Sequence, residues 1–222
     1  MNRYIIKFSK EGVICYISHL DTLRLFKRAF KREGICLSYS KGFNPHPKMG
    51  FAQPLPLGYS SVSEYLEFET DIPYQPQELA KALRRQLPEG IRIFSCEKGD
   101  DSKKSLAART TAAEYIIAIP AGESTPRKSA ADLCEDFLKQ KEIRVPKRQK
   151  KSKEMKDINI RDKIRSMNIV SVGENLLVTA LLDSGSDSNL SPELLITALV
   201  RFWGLPDERS DISVMRTKLS FL

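Results

Sequence analysis

The sequence is poor in the residues from which most catalytic and metal centres are built. It has only two histidines, His19 and His46, and one tryptophan, Trp203. Its four cysteines (Cys15, Cys36, Cys96 and Cys134) are scattered, with no CxxC pair and no Cys/His pair at ligand spacing. That argues against a zinc site and against an iron–sulfur cluster, so no metal or other cofactor is expected. Each cysteine lies in an apolar-patterned segment, as buried reduced thiols of a cytoplasmic protein do. No GxGxxG, GxxxxGK[ST] or GxSxG occurs, which leaves no nucleotide phosphate cradle and no nucleophile elbow. No apolar run approaches the roughly 18 residues that read as a membrane-spanning helix. The opening MNRYIIKFSKEG has too few apolar residues for a signal peptide.

What the sequence does have is positive charge, unevenly placed. The chain has 222 residues and a formal net charge of +8. Residues 1–48 and 141–165 each carry an excess of seven Lys/Arg over Asp/Glu, while 49–140 and 166–222 are each three negative. Two basic blocks on a mildly acidic body suggest a footprint for a polyanion. The first block runs into residues 38–58, SYSKGFNPHPKMGFAQPLPLG. Four prolines forbid a helix or a central strand along this stretch. Tyr39, Phe43 and Phe51, interleaved with Lys41, His46 and Lys48, are wrong for a flexible linker. A stiff loop bearing cations beside aromatics suits a flat, negative ligand, and long ordered loops are usually functional. The competing structural account has Phe43 and Phe51 plugging the core.

The periodicities predict an α+β fold. Tyr4–Ser9 alternates as a strand. Ser18 and Asp21 form a capping-box pattern ahead of a helix over His19–Glu33, with Gly34 as its stop. Leu20, Leu23, Phe26 and Phe30 form that helix's apolar face. Arg24, Lys27, Arg28, Lys31 and Arg32 form a basic stripe. Glu64–Glu69 is a strand with Glu67 and Glu69 on a solvated outward face, Pro76–Leu87 a helix, and Ile91–Cys96 a strand. The order matches the ferredoxin-like βαββαβ pattern. The second half repeats it: a strand over Tyr115–Ile119, a helix over Lys128–Lys141, a strand over Leu176–Leu182, a helix capped by Ser191 and ended by Gly204, and a strand over Ile212–Phe221. Two tandem ferredoxin-like lobes with antiparallel sheets are therefore expected. They span 1–98 and 112–222, joined by a polar linker over 99–111, with a basic insertion at 141–165 in the second. Pro146 and the lack of apolar periodicity make 144–156 a loop, bearing Lys147, Arg148, Lys150 and Lys151. Trp203 reads as core or as a contact between lobes.

Three functional classes stay open on these residues. In an RNA-binding module, the stripe with Lys41, Lys48 and the basic insertion would contact phosphates. Tyr39 or Phe43 would stack on a base, and Asn44, with His46 beside it, would reach a base edge. In a metal-independent RNA phosphodiesterase, His19 and His46 would act as acid and base, with Lys41 or Lys48 stabilising charge. The bland alternative makes the histidines a packing residue and a turn residue. In a protein-binding module, the loop would grip a partner enzyme.

One resemblance bears on the choice. Ser18-His19-Leu20-Asp21, then Tyr39-Ser40, Gly42-Phe43-Asn44-Pro45-His46-Pro47, then Pro54 to Gly58, together with EYLEFE, resemble the bacterial radical SAM-linked proteins, a family of unknown function. The likeness continues through DINIRDKIRSM (157–167) and the final helix and strand. Members of that family are fused to, or encoded beside, a radical SAM protein with a cobalamin-type binding domain. This chain has no CxxxCxxC cluster motif, so the resemblance implies a separately encoded radical SAM partner. Combined with the basic surfaces, it favours a non-catalytic accessory that binds RNA, or a ribonucleoprotein, and presents it to that partner.

Overall fold

Alternating apolar residues at Tyr4, Ile6 and Phe8 put three fully buried side chains on one face of β1 (Asn2–Lys10). The structure is a computed structural model that describes residues 2–120, 128–149, 154–205 and 209–222. The chain divides into two compact units, Met1–Thr110 with Leu219–Leu222, and Thr111–Lys218. The fold is mixed α+β.

In unit 1, β1 leads through a short 3-10 turn to α1 (His19–Arg32), then to β2 (Met49–Phe51), β3 (Ser60–Thr70), α2 (Pro76–Arg84) and β4 (Ile93–Lys98). The strand order is β4-β1-β3-β2, and every neighbouring pair is antiparallel. The apolar stripes of both helices cover the same sheet face. Phe26, Ala29 and Phe30 of α1 and Leu79 and Leu83 of α2 close over Tyr4, Ile6, Phe8, Leu66, Phe68 and Ile93. Leu20, expected on the inner face of α1, points outward and Thr22 takes its place. Gly34 ends α1 as expected, at φ +66°, a backbone state that suits glycine.

The opposite face of the unit 1 sheet is covered by the segment expected to be a polar linker. Arg3 donates to the carbonyls of Asp100 and Lys103 and lies 3.6 Å from the Glu67 carboxylate. A short helix, α3 (Leu106–Arg109), follows, with Leu106 buried and its N–H donating to Glu67. The polar composition of 99–111 thus reflects hydrogen bonding rather than slack. It also corrects the reading of Glu67 and Glu69 as solvated. Their side chains are only 16% and 15% exposed, and Glu69 pairs with Lys48 at 2.7 Å. Leu219–Leu222 join unit 1 as well. The Leu219 N–H donates to Ser63, and the Phe221 ring meets Tyr65 edge-on.

Unit 2 takes in β5 (Thr110–Pro120, from its second residue), α4 (Ala130–Leu138), β6 (Arg144–Arg148), β7 (Met155–Asn159), β8 (Ile164–Val172), β9 (Asn175–Asp183), α5 (Pro192–Trp203) and most of β10 (Ser213–Phe221). Its strands run β10-β5-β9-β8. Ser129 and Ser191 cap α4 and α5, and Gly204 closes α5 at φ +67°. Trp203 is buried within this unit against Phe137 of α4. The basic insertion departs from expectation: β6 and β7 form a two-stranded antiparallel ribbon where a loop was expected. Pro146, paired with Asp157, is tolerated because each strand of a two-stranded ribbon is an edge. Val145 and Ile160 bury its base, and the Asn159 side chain accepts from the N–H groups of Ile143 and Arg161. β8 carries no expected counterpart. No helix among the described residues is long and apolar enough to cross a membrane.

Candidate nucleic-acid interface

The basic stripe of unit 1 is built on α1. Ser18 caps the helix, accepting from the Asp21 N–H at 3.1 Å while its hydroxyl donates to the Asp21 carboxylate at 2.7 Å. That hydrogen bond, and then the one from Arg24, hold the Asp21 carboxyl below its ordinary value. Because Thr22, Phe26, Ala29 and Phe30 turn inward, the helical period turns Arg24, Lys27, Arg28, Lys31 and Arg32 to solvent. They are not equivalent. Arg24 is held by Asp21 at 2.8 Å, whereas Lys27, Arg28, Lys31 and Arg32 form no ion pair among the described residues.

The Pro-rich segment returns beside this helix as a closed loop. Tyr39 bridges Pro47, the Ser40 N–H donates to the His46 carbonyl at 2.8 Å, the His46 N–H donates to the Ser40 hydroxyl, and the Lys48 N–H donates to the Ser38 carbonyl. These bonds pair residues 38–40 with 46–48 and leave residues 41–45 as an exposed tip. Between loop and helix lies an open groove of about 540 Å³ lined by Lys27, Arg28, Phe30, Lys31, Ile35, Cys36, Leu37, Tyr39, Pro47 and Asp71. Its floor is apolar (Phe30, Ile35, Leu37), its rim cationic, and Tyr39 presents a half-exposed ring.

The remaining sequence-predicted residues fall into distinct places. Phe43 is fully exposed at the loop tip, with Lys41, Asn44 and His46 also exposed. Phe51 instead packs on Phe8, Phe26 and His19, so the functional and structural accounts of the loop aromatics each hold for one ring. Lys48 is neutralised by Glu69. Lys147 and Arg148 are exposed on β6 of unit 2, and Lys150 and Lys151 lie outside the described residues.

The two histidines have different surroundings. His46 sits on the exposed loop, while His19, the first residue of α1, leans edge-on against Phe51 at 5.1 Å. His19 borders a water-sized cavity of about 10 Å³ with Lys10, Thr22, Leu55 and Glu64. Burial, then the charge of Lys10, push its pKa down, with Glu64 opposing them. Lys10 and Glu64 are 3% and 4% exposed, and the Lys10 ammonium donates to the Ile17 carbonyl. Sequence reasoning missed this buried charged cluster and the place of Asp71 in the groove. Lys10 ends a strand whose register shifts between Phe8 and Lys10, and such a bulge redirects a side chain without leaving a pattern in the sequence.

Among solved structures, a chain in the crystal structure of a Cbf5-Nop10-Gar1 complex is similar to 97% of this chain at 14% identity, with a TM-score of 0.53. The likeness is one of fold, and the present chain spans about half (48%) of that one. A protein of unknown identity from Galdieria sulphuraria aligns over 100% of this chain and 98% of its own at 12% identity, with a TM-score of 0.28. A search of curated proteins finds no match. Residues 3–192 match the family described as "uncharacterized protein conserved in bacteria", DUF2344. With most of its length matched, the chain belongs to this bacterial family.

Proposed function

We propose that the protein is a non-catalytic RNA-binding accessory built on two ferredoxin-like lobes. In this reading it presents RNA or a ribonucleoprotein to a separately encoded radical SAM enzyme. The observation that carries RNA binding is the groove of unit 1, where Lys27, Arg28 and Lys31, free of carboxylate partners, stand over an apolar floor beside Tyr39. Cations that track a backbone next to rings that stack on bases are the recurrent chemistry of single-strand recognition. Phe43 at the tip adds a second stacking surface, and Asn44 a hydrogen-bonding side chain. Lys147 and Arg148 on the unit 2 ribbon supply further cations. The orders β4-β1-β3-β2 and β10-β5-β9-β8 support the ferredoxin-like reading, with the β6–β7 ribbon as an insertion in the second lobe. The radical SAM partner rests on the resemblance of the Ser18–Asp21 and Tyr39–Pro47 motifs. The packing of His19 against Phe51, with His46 exposed on the loop, favours the packing-and-turn account of the histidines over the phosphodiesterase.

The test is fluorescence anisotropy with a labelled single-stranded RNA across a salt series. Reversing Lys27, Arg28 and Lys31 to Glu is expected to weaken binding. It should also flatten the slope of log K against log salt by about 2, since each phosphate contact on a single strand contributes about 0.7. An unchanged slope in a variant with native circular dichroism overturns the proposal.

A further inference from the structure

One residue of the groove runs against its charge. Asp71, just beyond β3, lines a cavity whose other charged residues are Lys27, Arg28 and Lys31, yet it forms no ion pair among the described residues. In a groove that served only phosphates, this carboxylate would repel the ligand. We infer that the groove holds a guanine base of single-stranded RNA, with the Asp71 carboxylate accepting hydrogen bonds from guanine N1–H and the N2 amino group. The inference rests on the RNA-binding reading above and assigns that site its base.

Asp71 is built to hold one orientation. Its N–H donates to the Cys36 carbonyl at 3.1 Å, and the Ser38 hydroxyl donates to its Oδ1 at 2.7 Å. Both bonds come from the segment that forms the groove wall. Cys36 is itself fixed, since its N–H donates to the Tyr74 hydroxyl at 3.0 Å. The Ser38 bond leaves Oδ2 open and a lone pair on Oδ1, so two acceptors remain available side by side.

The surroundings suit a base rather than a phosphate. Phe30, Ile35 and Leu37 give an apolar floor, and the Tyr39 ring, 54% exposed, offers a stacking face. A volume of about 540 Å³ is in the range of small-ligand sites and leaves room for a purine.

The choice among bases follows from their donor patterns. On the edge used for Watson–Crick pairing, guanine alone presents two adjacent N–H donors. Adenine and cytosine set an amino group beside a ring-nitrogen acceptor, which a carboxylate repels. Uracil flanks its one N–H with two carbonyls. In a duplex this edge is already paired, so the site requires an unpaired base.

The test uses the full chain and labelled ten-nucleotide RNAs that are uridine throughout, or carry one central guanosine, inosine or adenosine. Inosine keeps N1–H and lacks the amino group. The guanosine strand is expected to bind about ten-fold or more tighter than all-uridine, the worth of a good bidentate pair, with inosine between and adenosine no better than uridine. Asp71→Asn keeps an acceptor for Ser38 and is expected to abolish the difference in affinity between the guanosine and all-uridine strands. Equal binding of all four strands by the wild type overturns the guanine assignment while RNA binding stands. A guanosine preference that survives in Asp71→Asn overturns the role of Asp71. Failure of the wild type to bind any strand overturns the RNA-binding reading and the inference with it.

Discussion

His19 illustrates how a single residue can be noticed in a sequence while its surroundings stay hidden. Its position at the start of a capped basic helix was legible. Its half-buried setting was not, because that depends on Lys10, Phe51 and Glu64, distant in the chain. Burial and Lys10 hold its folded pKa below the ordinary 6.5, so the folded state resists a proton that the unfolded chain accepts. The stability associated with neutral His19 is therefore complete above pH 6.5 and is lost as pH falls through the folded pKa. Urea midpoints should drop between pH 7.5 and pH 5.5 in the wild type, and the drop should shrink in His19→Gln. The thiols make a second case. Cys36 is exposed, against the expectation that all four would be buried, while burial pushes Cys96 up to about 12 and raises Cys15 and Cys134. Since the thiolate is the reactive form, iodoacetamide on the native chain should label Cys36 first. Under the RNA-binding proposal, RNA in the groove should slow that labelling, because Cys36 lines it. Uniform labelling of all four thiols in the native state would contradict this arrangement.

At the scale of elements, legibility followed the strength of local signals. α1 announced itself through Ser18, Asp21 and Gly34, and α5 through Ser191, Pro192 and Gly204; both helices start and stop within a residue or so of those marks. The strands at the centres of the two units were legible because one face of each is buried and alternation records that burial. β6 and β7 were not, because a ribbon with Lys147 directly opposite Lys156 and Arg148 opposite Met155 buries almost nothing beyond its base. α3 was hidden for a related reason: its four residues carry one buried side chain, Leu106, and its other anchors are hydrogen bonds, to Glu67 and Leu222 among them. The groove was half legible. Its cations lay on a helical stripe, but Asp71 reaches it through tertiary folding, and no local spacing connects it with Lys27. The cap itself is open to measurement. Ser18→Ala removes the acceptor for the Asp21 N–H and should cost about 1 kcal/mol in urea denaturation. A loss no greater than at an exposed control site would show that the cap is dispensable.

At the scale of the whole molecule, sequence order and spatial order part company. The sequence places residues 219–222 in the second half, whereas they belong structurally to unit 1. Leu219 is buried and bonds Ser63 across 156 positions, and the Leu222 N–H donates to the Arg109 carbonyl. Leu219→Ala should therefore destabilise by about 2–5 kcal/mol, the usual loss for a buried leucine. Truncation after Lys218 should lower the thermal midpoint while leaving every residue of the groove in the chain. An unchanged midpoint would show that these residues are passengers. The arrangement also has a consequence for synthesis. A ribosome adds about 5–20 residues per second, and a domain ordinarily folds once its own stretch has emerged. Unit 1 cannot do so fully. The chain must be translated through codon 222 before Ser63, Tyr65 and Arg109 meet their partners, so a message broken upstream of codon 219 yields a product whose first unit stays unfinished and open to proteases.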